Sequence, residues 1–384
     1  MGIQDFYKVL EEHCPDVMVN MKLSALSGIK IAVDISIFLN KFVKTAGEVK
    51  WIESFIILLC TLKRNGIKPV CIFDGPSPPK EKSLEQDRRR AQAAKTKERI
   101  EFGKKLVKRL EVYKDNEKHL DDNIINEVKS VIGIQRGRGV NVVNYDDVYD
   151  VLAVLKDSIA KKERQNLPIL PIYSQKAKEI IDIMGFSYFQ AEGEAETLCA
   201  SLCFHEIVDA VLSEDTDVLA YGTPFMLSKI DFTNETVTAI SYNEILNSLN
   251  FTKEEFTDLC ILLSCDYNDR VKGFAPDGKK RKKPAPIGAK GAFAMIKEYR
   301  RLEEAEKHMV DPDPLNYRRC RELFTPIGDL SHINVPFNKP INKEVLVDFI
   351  QNNSVKLNIN YILDTWKPCN IKFIDDDDES IEED

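Results

Sequence analysis

Seven acidic residues stand in short apolar or glycine-flanked settings along this chain, and their types and positions suggest one shared chemistry. Asp34 closes the run Lys30-Ile31-Ala32-Val33-Asp34, and Asp74 closes Val70-Cys71-Ile72-Phe73-Asp74. Glu194 and Glu196 lie in Gly193-Glu194-Ala195-Glu196, Asp215 and Asp217 in Ser213-Glu214-Asp215-Thr216-Asp217, and Asp266 in Ser264-Cys265-Asp266-Tyr267. Carboxylates at the ends of buried strands repel one another and lose hydration unless cations hold them together. Mg²⁺ is the natural partner, because it binds a few carboxylates together with substrate phosphate oxygens. The pattern points to metal-dependent phosphodiester chemistry. For Glu194 and Glu196 a simpler reading competes: both fall in the first turn of a helix, where the dipole favours acids.

The elements that must position these residues can be read from the apolar runs. Strands are expected at Ile29–Asp34, Pro69–Phe73, Asp209–Ser213 and Phe225–Ile230, with a weaker signal at Thr236–Ile240. They alternate with helical patterns, which predicts an α/β fold with a mostly parallel central sheet flanked by helices. Ligand sites in such sheets lie beyond the carboxyl ends of the strands, where Asp34, Asp74, Asp215 and Asp217 fall. Residues 76–175 differ in kind: they open with Pro76-Ser77-Pro78-Pro79, continue as charged helix-favouring sequence and include Gly133-Ile134-Gln135-Arg136-Gly137-Arg138-Gly139. They read as an excursion between two halves of the sheet and not as a separate globular domain; the plainer alternative is a solvated insert with surface helices.

The formal net charge of −8 is located at one end. Residues 375–384 hold eight acids and no base, which leaves residues 1–374 with no net charge. Base is concentrated from Lys80 to Arg109, with twelve Lys/Arg against five Asp/Glu, and in the run Lys279-Lys280-Arg281-Lys282-Lys283. For a polyanionic partner this distribution matters more than the total. Nine scattered cysteines fit a reducing compartment, and Cys199 and Cys203, four apart without a second pair, read as core packing rather than a zinc site. The N-terminus shows no signal-peptide pattern and no apolar run is long enough to span a bilayer, so an intracellular protein with no membrane partner is expected.

With the acids placed, the surrounding words become specific. Met1-Gly2-Ile3-Gln4, Ala32-Val33-Asp34-Ile35-Ser36, Ile72-Phe73-Asp74-Gly75, Ala191-Glu192-Gly193-Glu194-Ala195-Glu196, Glu214-Asp215-Thr216-Asp217, Leu259 to Tyr267 and Pro286-Ile287-Gly288-Ala289-Lys290 follow in that order. The ordered set resembles the flap endonuclease/XPG family of structure-specific 5′ nucleases, the flap endonuclease branch foremost. The resemblance implies a PIN-like 5′ nuclease fold with a helical arch and a helix–two-turn–helix element that grips duplex DNA. It divides the chain into core halves at 1–75 and 176–252, an arch with an insertion at 76–175 and a DNA-binding region with a basic loop at 253–341. A helical segment at 342–374 and an acidic tail at 375–384, expected to be disordered, complete the chain.

Carried over residue by residue, the resemblance assigns Asp34, Asp74, Glu194 and Glu196 to a first metal and Asp215, Asp217 and Asp266 to a second. Two Mg²⁺ ions, for which Mn²⁺ substitutes, about 4 Å apart would activate water and stabilise the leaving oxygen in an in-line displacement. The products implied are a 5′-phosphate and a 3′-hydroxyl. Lys82 and Arg89, seven apart on one helix face, match the family's catalytic lysine–arginine pair, with Arg88 the competing choice for the second position. Taken singly, each of these cations reads as a solvated surface charge, and the location next to Asp74 favours function for Lys82 and Arg89. Gly2, Gly288 and Lys290, with Lys82, Arg88 and Arg89, are the implied DNA contacts. Pro286 to Gly291 resembles a hairpin whose backbone contacts a phosphate, often with K⁺ nearby.

Three departures bear on what transfers. The position six residues after Asp34, a base-stacking tyrosine in the family's flap endonucleases, is Asn40, and Phe38 is expected in the core. The span from Asp34 to Asp74 is shorter than in those enzymes, which bears on any pocket for a 3′ flap. The arch is lengthened over about 112–165, and the loop at 272–286 carries extra Lys/Arg that reads equally as DNA contact or a nuclear-import signal. No Gln-x-x-hydrophobic-x-x-aromatic-aromatic peptide appears, so a sliding-clamp tether is not expected. The reading is then a monomeric Mg²⁺-dependent 5′ flap endonuclease with 5′–3′ exonuclease activity. Its partners are DNA 5′ flaps or single/double-strand junctions, in the nucleus or another site of replication and repair. A mainly exonucleolytic or junction-resolving relative competes with it, and so does a non-catalytic nucleic-acid-binding scaffold.

Overall fold

The computed structural model describes residues 2–115, 120–133, 143–274, 283–337 and 339–366. The acidic segment 375–384, most of the Lys279–Lys283 run and most of the Gly/Arg-rich piece after Gly133 lie outside the described residues.

Seven strands form one sheet: β1 (Met18–Lys22), β2 (Lys30–Asp34), β3 (Lys68–Phe73), β4 (Ser187–Gln190), β5 (Ala210–Leu212), β6 (Phe225–Asp231) and β7 (Thr236–Ser241). Their order is β1-β7-β6-β5-β2-β3-β4. From β6 to β4 the neighbours run parallel, while β7 and β1 are antiparallel. The five expected strands are present with small shifts at their ends. The two edge strands β1 and β4 add to that expectation; Met-Val-Asn-Met-Lys and Ser-Tyr-Phe-Gln are short and partly exposed, so they carry little of the apolar signal of the central strands.

Both sheet faces are covered around β2 and β3, which is why those strands read as continuous apolar runs. On one face lies the helix Ile35–Arg64, kinked at Gly47 where φ is 85°. Its Phe38, Trp51, Phe55 and Leu58 pack on Ile31, Val33, Cys71 and Phe73, so Phe38 lies in the core as expected. On the other face the helix Ala195–Phe204 packs Leu198, Cys199 and Leu202 against Ala32, Val70 and Val211. Cys199 and Cys203 are buried there, and all eight described cysteines are free and buried.

The excursion leaves after β3 and returns before β4. It is more than a set of solvated helices: Ser83–Asp115, about 50 Å long, packs with Asp122–Ile132 and Val148–Gln165 around Leu106, Leu110, Val128, Val151 and Leu155. Its apolar residues are sparse in strongly charged sequence, and only three-dimensional pairing of the helices reveals a separate core. Farther on, Lys253–Leu263 and Ala289–Tyr299 flank a short hairpin of β8 (Lys272–Gly273) and β9 (Ala285–Pro286). A capping box of Thr252 and Glu255 starts the first of these helices. The helices Lys343–Asn352 and Ile359–Asp364 add Leu346, Phe349 and Ile362 to the core on the Ile35–Arg64 side. Among the described residues no helix is long and apolar enough to cross a membrane.

Candidate active site

The carboxyl ends of β2, β3 and β5 converge at the middle of the sheet, and the seven acids meet there. Asp34 ends β2, Asp74 follows β3, Asp215 and Asp217 follow β5, Glu194 and Glu196 begin the helix Ala195–Phe204, and Asp266 follows Lys253–Leu263. Asp34, Glu194, Asp215, Asp217 and Asp266 are buried. Burial first, then the charges of Asp74 and Asp215, push the Asp34 carboxyl up to about 8. Glu196 is raised by burial and by the charges of Asp34, Asp215 and Glu194; Asp217 is raised by burial and by Asp215 and Asp266. Burial and Asp266 raise Asp215 as well. A pocket this acidic is held in place at an electrostatic cost.

The local backbone places these groups. Ser213 Oγ donates to Asp34 Oδ2 at 3.2 Å and accepts from the Asp215 amide at 3.1 Å, and the Asp217 amide donates to Asp215 Oδ1 at 3.1 Å. Asp74 Oδ1 accepts from the Ala195 amide at 3.0 Å. Asp74 therefore caps the helix that begins at Ala195. Glu194 occupies the N-cap position just before that helix instead of its first turn, and its side chain makes no capping bond. The capping explanation of Glu194 fails on geometry, because both of its oxygens are committed elsewhere.

Those oxygens go to Lys82 and Tyr267. The Lys82 ammonium pairs with Glu194 Oε1 and lies 3.6 Å from Asp266 Oδ2. Lys82 belongs to a 3₁₀ turn, Lys80–Lys82, at the foot of the arch; it is not in the long helix, which starts at Ser83. Arg89 Nη2 reaches Asp266 Oδ2 at 3.1 Å, whereas Arg88 pairs with Asp269. Of the two candidates, it is Arg89 that faces the carboxylate cluster. Burial alone would lower the Lys82 pKa, but the charges of Glu196, Glu194 and Asp266 outweigh it and raise it. Arg89 follows the same pattern through Asp266 and Glu85.

Sequence reasoning assigned no role to a chain of hydroxyls beneath this site. Tyr267 donates to Glu194 Oε2, Tyr267 and Tyr221 meet hydroxyl to hydroxyl at 3.0 Å, and Tyr221 meets Thr197 Oγ1 at 2.8 Å. Burial raises both phenols well above the ordinary range, so they stay protonated donors. The signal that could have found the first link is Tyr267 following Asp266 directly.

Gly2 lies against the cluster: a Cβ there would strike Asp215 Oδ1 and meet Asp217 Oδ1 at 2.8 Å, and its φ is +81°. Gly288 and Lys290 are in another place, at the start of the helix Ala289–Tyr299, where the exposed Lys290 ammonium is 3.0 Å from Glu12. Asn40 Nδ2 donates to Ser36 O at 3.0 Å, and the residue lines a cavity of about 290 Å³ beside Asp74 and Lys178.

Among the described residues no three His, Cys, Asp or Glu side chains converge as a finished metal cage. The donor set nevertheless fits a hard divalent cation. Glu196 Oε2 and Asp217 Oδ1 are buried with no hydrogen-bond partner, and carboxylate oxygens left so in a low-dielectric site are what such a cation takes. Lys82 and Arg89 supply positive charge to the same cluster.

A parallel-sheet core with clustered acids at its strand ends and a cationic arch foot defines a class, and sequence comparison agrees with it. Residues 1–96 match the XPG N-terminal domain and residues 185–266 the XPG I-region, which supports the resemblance to the flap endonuclease/XPG family. It is 28% identical over 390 residues to flap endonuclease 1 of Enterocytozoon bieneusi, covering 98% of this chain and 91% of that protein. A probable RAD2-like endonuclease of Invertebrate iridescent virus 6 is 26% identical, covering 97% and 93%. Among solved structures, the catalytic core of Rad2 in complex with DNA substrate has a TM-score of 0.58 at 18% identity, over 95% of this chain and 98% of that one. Flap endonuclease-1 from Methanococcus jannaschii has a TM-score of 0.55 at 20% identity, over 91% and 95%.

Proposed function

We propose that the chain is a Mg²⁺-dependent, structure-specific 5′ nuclease whose main activity is 5′ flap cleavage, with 5′–3′ exonuclease activity beside it, in intracellular DNA replication or repair. The observation that carries this reading is the gathering of seven carboxylates, two of their oxygens unpartnered, under an arch foot that presents Lys82 and Arg89.

Asp34, Asp74, Glu194 and Glu196, with Asp215, Asp217 and Asp266, would hold divalent cations. Bound there, such ions supply a lowered water pKa and charge neutralisation at the scissile phosphate. The chain's own part is positioning. Lys82 and Arg89 are tied to Glu194 and Asp266, and an entering phosphate competes for the same cations, giving them a ready exchange of partner. Tyr267 fixes one oxygen of Glu194 so that the other stays aimed at the Lys82 side. Buried donors of this kind cost no reorganisation during reaction. Affinity for DNA would rest on phosphate contacts and fall steeply with salt.

The deciding experiment is cleavage of a 5′-labelled double-flap DNA with Mg²⁺, beside Asp217→Ala. One major product near the junction, absent with the variant, is the expected result. A ladder of mononucleotides abolished by the variant would move the function to exonuclease. DNA binding without cleavage by either protein would leave a scaffold.

A further inference from the structure

Among the described residues, the sheet face that packs the Ile35–Arg64 helix is left partly open. Val19 and Met21 of β1, Ala239 of β7, and Phe225 and Leu227 of β6 line an open groove of about 720 Å³ on that side. Val19 pairs with Ala239 and Ala239 with Leu227, so the floor is a continuous apolar row across three strands. Val19 is 49% exposed and Phe225 50% exposed. Contiguous apolar surface of this kind on a charged protein marks a contact site. Sheets of this architecture carry helices on both faces; among the described residues the Ile35–Arg64 layer buries Leu227, Ile230 and Val237 but leaves Val19 and Phe225 exposed. With β5 the floor is four strands wide, about 14 Å across, which suits a helix about 10–12 Å in diameter.

The rim limits the occupant. Glu206, Asp209 and Glu244 stand exposed at its border, and among the described residues no Lys or Arg lines the groove. That sign disfavours nucleic acid, an anionic membrane and the chain's own acidic segment 375–384. The groove also lies at the start of β5 and β6, away from the carboxyl strand ends where the acids meet.

We propose that this groove docks an amphipathic, Lys- or Arg-bearing helix of a partner protein, its apolar stripe on Val19 and Phe225 and its cations on Glu206 and Glu244. Such a partner engages the nuclease without entering the DNA site, and the proposal stands independently of the reaction assigned to that site.

The test uses the full chain and fluorescent helix-forming peptides of Leu and Lys, about four turns long, read by anisotropy. The expected result is saturable binding of the peptide with an apolar stripe, weakened about tenfold by Phe225→Glu and by Val19→Glu. Glu206→Lys combined with Glu244→Lys should shift preference to the matching Leu/Glu peptide. Unchanged DNA cleavage, or an unchanged melting temperature if no cleavage is found, shows that each variant is folded. Equal binding of a scrambled peptide of the same composition would mean bulk charge attraction and overturn the proposal. So would full affinity in the variants, no binding up to about 1 mM, or binding only after removal of residues 367–384, which would make the chain's own segment the occupant.

Discussion

Tyr267 donates its phenolic proton to one oxygen of Glu194 while Lys82 pairs with the other. Tyr221 and Thr197 extend the contact behind Tyr267. Tyr267→Phe removes the donor without changing any charge, and a hydrogen bond to an ionised group is worth about 1.5–3 kcal/mol. We expect cleavage to fall roughly ten- to hundredfold, with a weaker Mg²⁺-induced rise in melting temperature. Tyr221→Phe should give a smaller change in the same direction. Equal melting shifts in all three proteins would restrict the hydroxyls to a packing role.

Gly2 should tolerate no side chain. Gly2→Ala places a Cβ against the Asp215 and Asp217 carboxylates at a positive φ. Cleavage should be lost while the fold, by circular dichroism, is kept. A fully active Gly2→Ala protein would show that the N-terminus moves aside freely.

The metal-free protein should lose stability as pH rises from about 4 toward about 8. The sign follows from the raised carboxyls of Asp34, Glu196, Asp215 and Asp217. Between the ordinary carboxylate pKa and the elevated folded values, the folded state holds more protons than the unfolded state, so the slope of stability with pH is negative. Mg²⁺ should therefore raise the melting temperature far more at pH 8 than at pH 5. Asp217→Asn should stabilise the metal-free protein, weaken the Mg²⁺ response and abolish cleavage, as expected where function is held against stability. Thermal melts with and without Mg²⁺ at both pH values check all of this.

Lys82 partly neutralises the cluster, so Lys82→Ala should destabilise the metal-free protein by on the order of 3 kcal/mol, the scale for stranding buried charge. The same variant should gain more from Mg²⁺ than the parent does, yet cleave at least tenfold more slowly. A variant that melts and cleaves like the parent would return Lys82 to an ordinary surface lysine.

The clustered acids were legible because several sit next to a local signal: Asp34 and Asp74 close apolar strands, and Asp215 and Asp217 follow one. Backbone hydrogen bonding and side-chain alternation act over a few residues, so strand ends, the helix start at Ala195 and the basic bias of the arch are written locally. The edge strands were not legible, since β1 and β4 bury too little to carry a pattern. Nor was the core of the arch, whose Leu110, Val128 and Leu155 become one cluster only when three helices meet.

Sequence order alone determined which carboxylates this protein brings to the strand ends. Tertiary structure decided which cations answer them. Arg88 and Arg89 are neighbours with the same charge, and only the helix rotation sends Arg89 to Asp266 and Arg88 to Asp269. The hydroxyl chain needs Thr197, Tyr221 and Tyr267 from three separate elements, and among the described residues the groove is open because Val19 and Phe225 stay exposed beside the packed part of the same face. Contacts between elements distant in the chain depend on packing angles and depths that no local pattern records.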